Sequence, residues 1–432
     1  MKISVATLGC KVNQYESRAL EEALEARGHV LVPLGEPADA VVVNSCTVTH
    51  RSDRDARALV RRARRASPGA RIVVTGCYAQ TDPEALRRLG VDDVVGTGEK
   101  GSIPDLLEGA PVGVQVGALA GLRRLSPEPV VRFGGRARAF LKVQDGCEAF
   151  CAYCIVPYAR GRSRSLPLAQ VEEGLARARE AGHREVVLTG VHLGLWGRDL
   201  DPPHELTALL EAAERSGLPR VRLSSLEPGE VTPEVIRALA GSAVLCPHLH
   251  VPLQSGSDRI LRAMGRPYTV GEFRARMEAA LAGLPGLCLG LDVIVGFPGE
   301  DDAAFAETRA LLEALPLAYL HVFPFSPRKG TRAAAMDGKV PEPVLKERAR
   351  RLRELSGGKR RAFHRAHLGR CLPALPERRS GDGALVLRTR NYIPVRIPWA
   401  APVPSREIPV RLGRLEGDVV AGAPVEPTYA GG

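Results

Sequence analysis

The sequence predicts an α/β chain in three parts: a parallel sheet carrying helices, an incomplete β/α barrel of six strands, and a small C-terminal β-barrel. Apolar strand runs alternate with amphipathic helical patterns over roughly the first 110 residues, and again from Arg138 to about Phe325. That alternation is the mark of parallel β/α units. From about residue 371 the helical period gives way to short alternating runs rich in Pro and Gly, the pattern of a small all-β unit. With 432 residues and 44% apolar side chains, the chain can bury several packed cores.

In the first part "KISVATLGC" reads as a strand and "NQYESRALEEALEARGH" as an amphipathic helix. "DAVVVNSC", "ARIVVTGC" and "DDVVGTG" are further strands, separated by the basic helix "SDRDARALVRRARRASPG" and the short helix "DPEALRRLG". Residues 112–134 have Gly, Pro and no clear period, and are expected to be a linker. The second part offers "AFLKVQD", "EVVLTG", "RVRLSS", "HLHVPL", "GLDVIVGF" and "AYLHVFPF" as six strands. Polar residues at their ends, Thr189, Ser224, Ser225, Glu227, Gln254, Ser255 and Asp292, are expected at the mouth of the barrel. The domain bounds expected are 1–111, 135–365 and 366–432 around that linker.

The formal net charge is +11, and the excess is clustered. Eight Arg face two Asp between Arg51 and Arg71, and ten Lys or Arg face two Glu between Lys346 and Arg370. Such clusters suit a polyanionic partner. The second run has few acids, so few local partners are expected for Arg350, Arg353, Arg360 and Arg361, which are candidate phosphate contacts. No apolar run reaches the roughly 18 residues of a membrane span, and only nine residues precede Cys10. A cytoplasmic protein with no membrane partner is expected.

Nine cysteines, an odd number, argue against a disulfide framework. Six of them fall into two trios. Cys10, Cys46 and Cys77 are 36 and 31 residues apart, yet each ends a strand. The carboxyl ends of parallel strands face one crevice, so the three thiols are expected to converge on one ligand site. Asn13, Gln14 and Asn44 flank them as candidate supports. Cys147, Cys151 and Cys154 are spaced C-x3-C-x2-C, with Tyr153 before the last. Three thiolates on a 4Fe–4S cluster leave one iron for an outside ligand, such as the amino and carboxylate groups of S-adenosylmethionine. The rival reading is a structural zinc completed by His183 or His192, neither at motif spacing. Cys246, Cys288 and Cys371 are expected to be structural, and His248 and His250 packed or hydrogen-bonded.

The motifs "TLGCKVNQYES", "NSCTVT", "VTGCYAQ", "LKVQDGCEAFCAYCIVPYARG", "LTGVHLG", "HLHVPLQSGS" and "DVIVGFPGE" together resemble the radical SAM methylthiotransferases. They are most similar to the branch that acts on N6-threonylcarbamoyladenosine in tRNA. The resemblance implies a Rossmann-like first sheet, a partial (β/α)6 radical SAM barrel and a TRAM-like RNA-binding β-barrel, for which "RNYIPV" is the closest fragment. It implies two 4Fe–4S clusters: an auxiliary one on Cys10, Cys46 and Cys77, and one on Cys147, Cys151 and Cys154 that cleaves S-adenosylmethionine. It also implies that two S-adenosylmethionines are consumed per turnover. The implied partners are tRNA, a sulfur donor and an electron donor such as flavodoxin or ferredoxin. Tyr153, Gly190, Glu227, Gln254, Ser255 and Gly256 are candidate cofactor contacts. Arg160, Arg162 and Arg164 are candidates for clamping an RNA phosphate or the cofactor carboxylate. The same chemistry on isopentenyladenosine, or on an aspartate of a ribosomal protein, is the alternative substrate reading. A non-catalytic iron–sulfur RNA-binding protein is the alternative of another class.

Overall fold

The computed structural model describes residues 1–125, 130 and 138–425. The first part is a six-stranded sheet in the order Val30–Leu31, Lys2–Thr7, Ala40–Ser45, Arg71–Gly76, Asp93–Val95, Gly113–Gln115. Every neighbouring pair is parallel. All six residues of Ala40–Ser45 are buried, as a central strand covered on both faces requires. Its side chains alternate between two cores. Val41 and Val43 pack with Ala56, Val60 and Ala63 of the helix His50–Ala66. Ala40 and Val42 pack with Leu20 and Leu24 of the helix Lys11–Ala26, and with Leu106 and Leu107. The two edge strands were not expected, because two or three residues cannot show a period. One of them, Gly113–Gln115, lies inside the expected linker and extends the sheet. Of that linker, residues 126–129 and 131–134 lie outside the described residues.

The six expected barrel strands form: Arg138–Lys142, Glu185–Thr189, Arg220–Leu223, His248–Gln254, Cys288–Val295 and Tyr319–Pro324. Their backbone ladders make two parallel three-stranded sheets. An isolated bridge between Val221 and Leu245 and a 3.0 Å bond from the Leu226 amide to the His250 carbonyl join the two. One large core runs through both halves and includes Trp196, Phe273 and Met277. The helix Glu342–Arg365 packs on the last strand, where Ser356 Oγ accepts from the Leu320 amide at 2.8 Å. It continues unbroken through Gly357 and Gly358.

The C-terminal part is a closed barrel of Cys371–Arg379, Leu385–Thr389, Pro394–Ile397, Val419–Pro424 and Ile408–Glu416, in that spatial order. Its core is aliphatic, with Leu385, Leu387, Val395, Ile397, Val410 and Leu412. Buried Arg220 and Arg222 of the second part donate to the carbonyls of Arg388, Thr389 and Arg390 at 3.0–3.1 Å. Among the described residues no helix is long and apolar enough to cross a membrane.

The first and second parts are joined at Arg328. Its guanidinium donates to Asp53 Oδ2 and to Thr47 Oγ1, both at 2.7 Å, with all three groups buried. Removing one partner of a buried pair leaves an uncompensated charge, at a cost of about 3–5 kcal/mol. Arg328→Ala is therefore expected to lower stability by about that much in urea denaturation, and Arg328→Met with Asp53→Leu to recover most of it. A single-variant loss below about 1 kcal/mol, the range of an exposed pair, would contradict this assignment.

Candidate active site

The first trio sits where strand order and parallel direction bring three neighbouring chain ends together. Cys10 and Cys46 follow the strands Lys2–Thr7 and Ala40–Ser45, and Cys77 opens a short helix after Arg71–Gly76. Two glycines allow the close approach. Gly9 has φ +102°, and a Cβ there would lie 2.8 Å from Cys46 Cβ. Gly76 has φ +93°, and its Cβ would strike the Ser45 backbone. Asn13 holds the loops by donating to the carbonyls of Leu8 and Ser45 at 2.8 and 3.1 Å. Asn44 donates to the Asn13 carbonyl at 3.0 Å and to Ser17 Oγ at 2.9 Å. Gln14, expected beside them, is exposed and has no such place. Cys46 and Cys77 are buried, and burial pushes the Cys77 thiol up to about 11, against the pull of the Arg160 charge.

The second trio lies on the loop after Gln144–Asp145. Gly146, at φ +78°, turns the chain where a Cβ would meet the Arg162 carbonyl. Cys151 is buried, with Arg266 Nη1 3.2 Å from its sulfur. Cys147 Sγ lies 3.5 Å from His192 Nδ1, whose other nitrogen is 2.6 Å from Glu230 Oε1. Burial pushes the Cys154 thiol up to about 12. Tyr153 packs edge-on to Phe297 at 6.5 Å.

The spacing of the thiols bears on the two metal readings. Ligands about 2.3 Å from one zinc stand roughly 3.8 Å apart. Among the described residues, the one group of three or more His, Cys, Asp or Glu donors all within 4.8 Å of one another is His250, Asp292 and His321. Neither cysteine trio is drawn together to that spacing among the described residues, and a larger cluster, which presents a separate iron to each thiolate, does not need it to be. Buried thiols with raised pKa values also need such a countercharge to ionise.

A cavity of about 890 Å³ joins the parts. Cys10, Cys46 and Cys77 line it from the first part, and Thr189, Gly190, Ser224, Ser225 and Asp292 from the barrel, as expected for strand-end residues. Tyr392 of the C-terminal barrel also lines it. His248 and His250 are hydrogen-bonded, as expected, to Tyr319 Oη at 2.9 and 3.1 Å. Burial opposes ionisation of Asp292, but hydrogen bonds from His250 and His321 more than offset it and hold the carboxyl well below its usual range. Glu227 and the segment 254–256 lie outside the lining. Glu227 is paired with Arg266. Gln254 is buried at φ +66°. Ser255 Oγ is 3.4 Å from Thr308 Oγ1, and the Gly256 amide donates to that hydroxyl at 2.9 Å. A Cβ on Gly256 would lie 2.5 Å from Thr308 Cα, so close packing on the helix Asp302–Ala314 already accounts for this glycine.

The arginine expectations need the largest corrections. Arg160 is buried at the cavity wall, and its guanidinium is taken up by groups of the protein. It donates to Glu16 Oε1 at 2.8 Å, Asp145 Oδ1 at 2.9 Å and Asn13 Oδ1 at 2.6 Å. Arg164 is also buried and donates to the Arg160 carbonyl at 2.9 Å. Arg162 remains half-exposed near Glu148. On the helix Glu342–Arg365, Arg350 has both Glu347 and Glu354 as partners. Arg353 reaches the Val322 carbonyl, and Arg360 and Arg361 face Asp418. The expectation of few partners therefore fails, and Arg360 lines the cavity. Cys246 and Cys288 are buried, whereas Cys371 is exposed on its strand and has no core role. Glu16, Lys100, Lys142, Asp145, Arg266 and Arg328 were not anticipated. Glu16 carried one available signal: it falls on the inward face of its helix with Val12, Tyr15, Ala19 and Leu20.

Residues 2–96 match a family described as "Uncharacterized protein family UPF0004", and residues 141–312 match the radical SAM superfamily. The chain is 37% identical to the threonylcarbamoyladenosine tRNA methylthiotransferase MtaB of Aquifex aeolicus, over 92% of this chain and 96% of that one. It is 38% identical to the Bacillus subtilis protein of the same name, over 91% and 89%. It is 36% identical to the tRNA-2-methylthio-N(6)-dimethylallyladenosine synthase of Cereibacter sphaeroides, over 87% of each. Among solved structures, the radical S-adenosylmethionine methyltransferase TsrM from Kitasatospora setae shares the fold, with TM-score 0.59 and 16% identity over 77% of each chain. With its two cysteine trios, its sheet–barrel–barrel order and relatives matched over nearly their full length, the chain belongs to the radical SAM methylthiotransferase family.

Proposed function

We propose that this enzyme transfers a methylthio group to carbon 2 of N6-threonylcarbamoyladenosine, next to the anticodon in tRNA. The observation that carries the reading is a cavity lined by one three-cysteine site and by chain neighbours of the other. Cys10, Cys46 and Cys77 line it directly. The other trio is outside the lining, but Val156, two residues after Cys154, and Gly190 and Val191, just before the Cys147 neighbour His192, are in it. The target explains the need for radical chemistry. No tuned side-chain base approaches the strength needed to deprotonate an aromatic C–H, because tuning spans only a few pKa units. When bound, the cluster on Cys147, Cys151 and Cys154 supplies the electron that opens S-adenosylmethionine, and the one on Cys10, Cys46 and Cys77 holds the sulfur.

The chain's own residues position and shield. Arg266 ties Cys151 to Glu227, and His192 ties Cys147 to Glu230. That arrangement fixes two thiolates from outside the loop that carries them. Tyr153, Gly190 and the 254–256 turn form the surroundings proposed for the cofactor. Asn13 and Arg160 hold the first trio against the barrel, and the cavity walls limit water at the reacting carbon. The basic helix His50–Ala66, which begins four residues after Cys46, is the better candidate for gripping RNA. Its Arg54, Arg61 and Arg65 are exposed and, among the described residues, have no hydrogen-bond or ion-pair partner. The C-terminal barrel supplies a TRAM-like second contact, and a sulfur donor and a flavodoxin- or ferredoxin-type reductant complete the cycle.

Mass spectrometry of tRNA nucleosides from a strain lacking the gene tests the assignment. Unmethylthiolated N6-threonylcarbamoyladenosine is expected to accumulate, and the wild-type gene to reverse this. Genes carrying Ala at Cys10, Cys46 and Cys77, or at Cys147, Cys151 and Cys154, are expected to fail. In vitro, only the first of these variants is expected to retain S-adenosylmethionine cleavage. A defect confined to dimethylallyladenosine would overturn the substrate, and rescue by either variant would overturn the two-site mechanism.

Arg54→Gln, Arg61→Gln and Arg65→Gln together are expected to weaken tRNA binding and flatten its salt dependence. The log–log slope falls by about 0.9 for each lost duplex contact. An unchanged slope would exclude this helix from the RNA footprint.

A further inference from the structure

Among the described residues, the cavity lining holds one lysine, Lys11, with no partner. Lys11 follows Cys10 and opens the helix Lys11–Ala26, and its side chain lines the cavity. The other basic side chains of the lining are all engaged. Arg138 is paired with Glu185 and Glu377, both at 2.6 Å. Arg160 is paired with Glu16 and Asp145, and Arg222 with Glu185. Arg360 is paired with Asp418, and Arg388 with Glu377. Lys11 alone among them has no hydrogen-bond or ion-pair partner among the described residues. Arg138 and Arg222, both positive, lie close enough to repel its charge. Its position is also unfavourable for the helix, because a cation in the first turn opposes the macrodipole. Neither helix stability nor a protein partner therefore explains an ammonium here, and an anionic ligand would.

The threonylcarbamoyl group ends in a carboxylate, whereas a dimethylallyl group is a hydrocarbon with no charge. We propose that Lys11 is a specificity-determining residue that receives the carboxylate of the adenosine N6 substituent. The inference rests on the substrate reading above and deepens it. A charged hydrogen bond in a partly enclosed site contributes to affinity, and a site built to receive an anion discriminates against an analogue that lacks it.

The test compares two anticodon stem-loops under anaerobic conditions with reconstituted full-length enzyme. One carries N6-threonylcarbamoyladenosine, and the other carries its carboxamide, in which the charge is removed and the shape kept. Wild-type enzyme is expected to favour the acid by about 10–100-fold in kcat/KM. Lys11→Met is expected to lose that preference by slowing on the acid and not on the amide, and Lys11→Arg to recover part of it. Iron content and S-adenosylmethionine cleavage are read on the same samples and are expected to match wild type. Equal wild-type rates on acid and amide would overturn the proposal. So would a Lys11→Met loss that is the same on both substrates or accompanied by loss of iron, since either outcome assigns Lys11 to the neighbouring cysteine site. No methylthiolation of the acid by wild-type enzyme would instead overturn the substrate reading, and this proposal with it.

Discussion

The buried ion network around Arg160 sets the geometry on which the proposed chemistry depends. Arg160 closes the short helix Val156–Arg160, which follows directly on the second cysteine trio. Its guanidinium fork reaches Asn13 and Glu16 of the first part and Asp145 of its own barrel. Lys100 and Lys142, one from each part, also end on Glu16. Burial opposes ionisation of Glu16, and these three cations overcome it and hold its carboxyl well below the usual range. Buried ion pairs of this kind contribute little net stability against an apolar replacement. Their value is geometric, because a fork with fixed donor directions permits one arrangement of the groups it bridges. Asn13, at one end of this network, is also the residue that ties the loops of Cys10 and Cys46 together.

The third part completes the cavity. The C-terminal barrel inserts Tyr392, at φ +69°, beneath Arg138, Arg222 and Arg388, with guanidinium carbons 5.6, 4.8 and 4.5 Å from the ring centre. Its hairpin carbonyls in turn satisfy Arg220 and Arg222. A unit that could have been a tethered module instead forms one wall of the cavity. The hairpin and the cavity wall are thereby linked through the same few arginines.

The strands and the convergence of the first trio were legible because both depend on local pattern. A strand of six buried residues shows its apolar run, and a cysteine at each strand end shows its position. The edge strands Val30–Leu31 and Gly113–Gln115 are too short to have a period. The burial of Arg160 and Arg164 in "ARGRSRS" was not legible, because nothing near them in sequence shows that Glu16, 144 residues away, buries with Arg160. The helix Glu342–Arg365 was different. Glu347 and Glu354 stand three and four residues from Arg350, a spacing that puts them on one helix face. Its charge count hid pairing that the spacing showed. Asp418, the partner of Arg360, had no local signal at all.

The most direct measurement is the number of S-adenosylmethionines cleaved per methylthio group formed by an Arg160→Lys enzyme. Lysine keeps the positive charge but cannot reach Asn13, Glu16 and Asp145 at once. The expected result is wild-type iron content and retained cleavage, with several-fold more S-adenosylmethionine consumed per product as the two cysteine sites lose their fixed relation. Wild-type coupling in this variant would contradict the claim that Arg160 sets the geometry of the reaction.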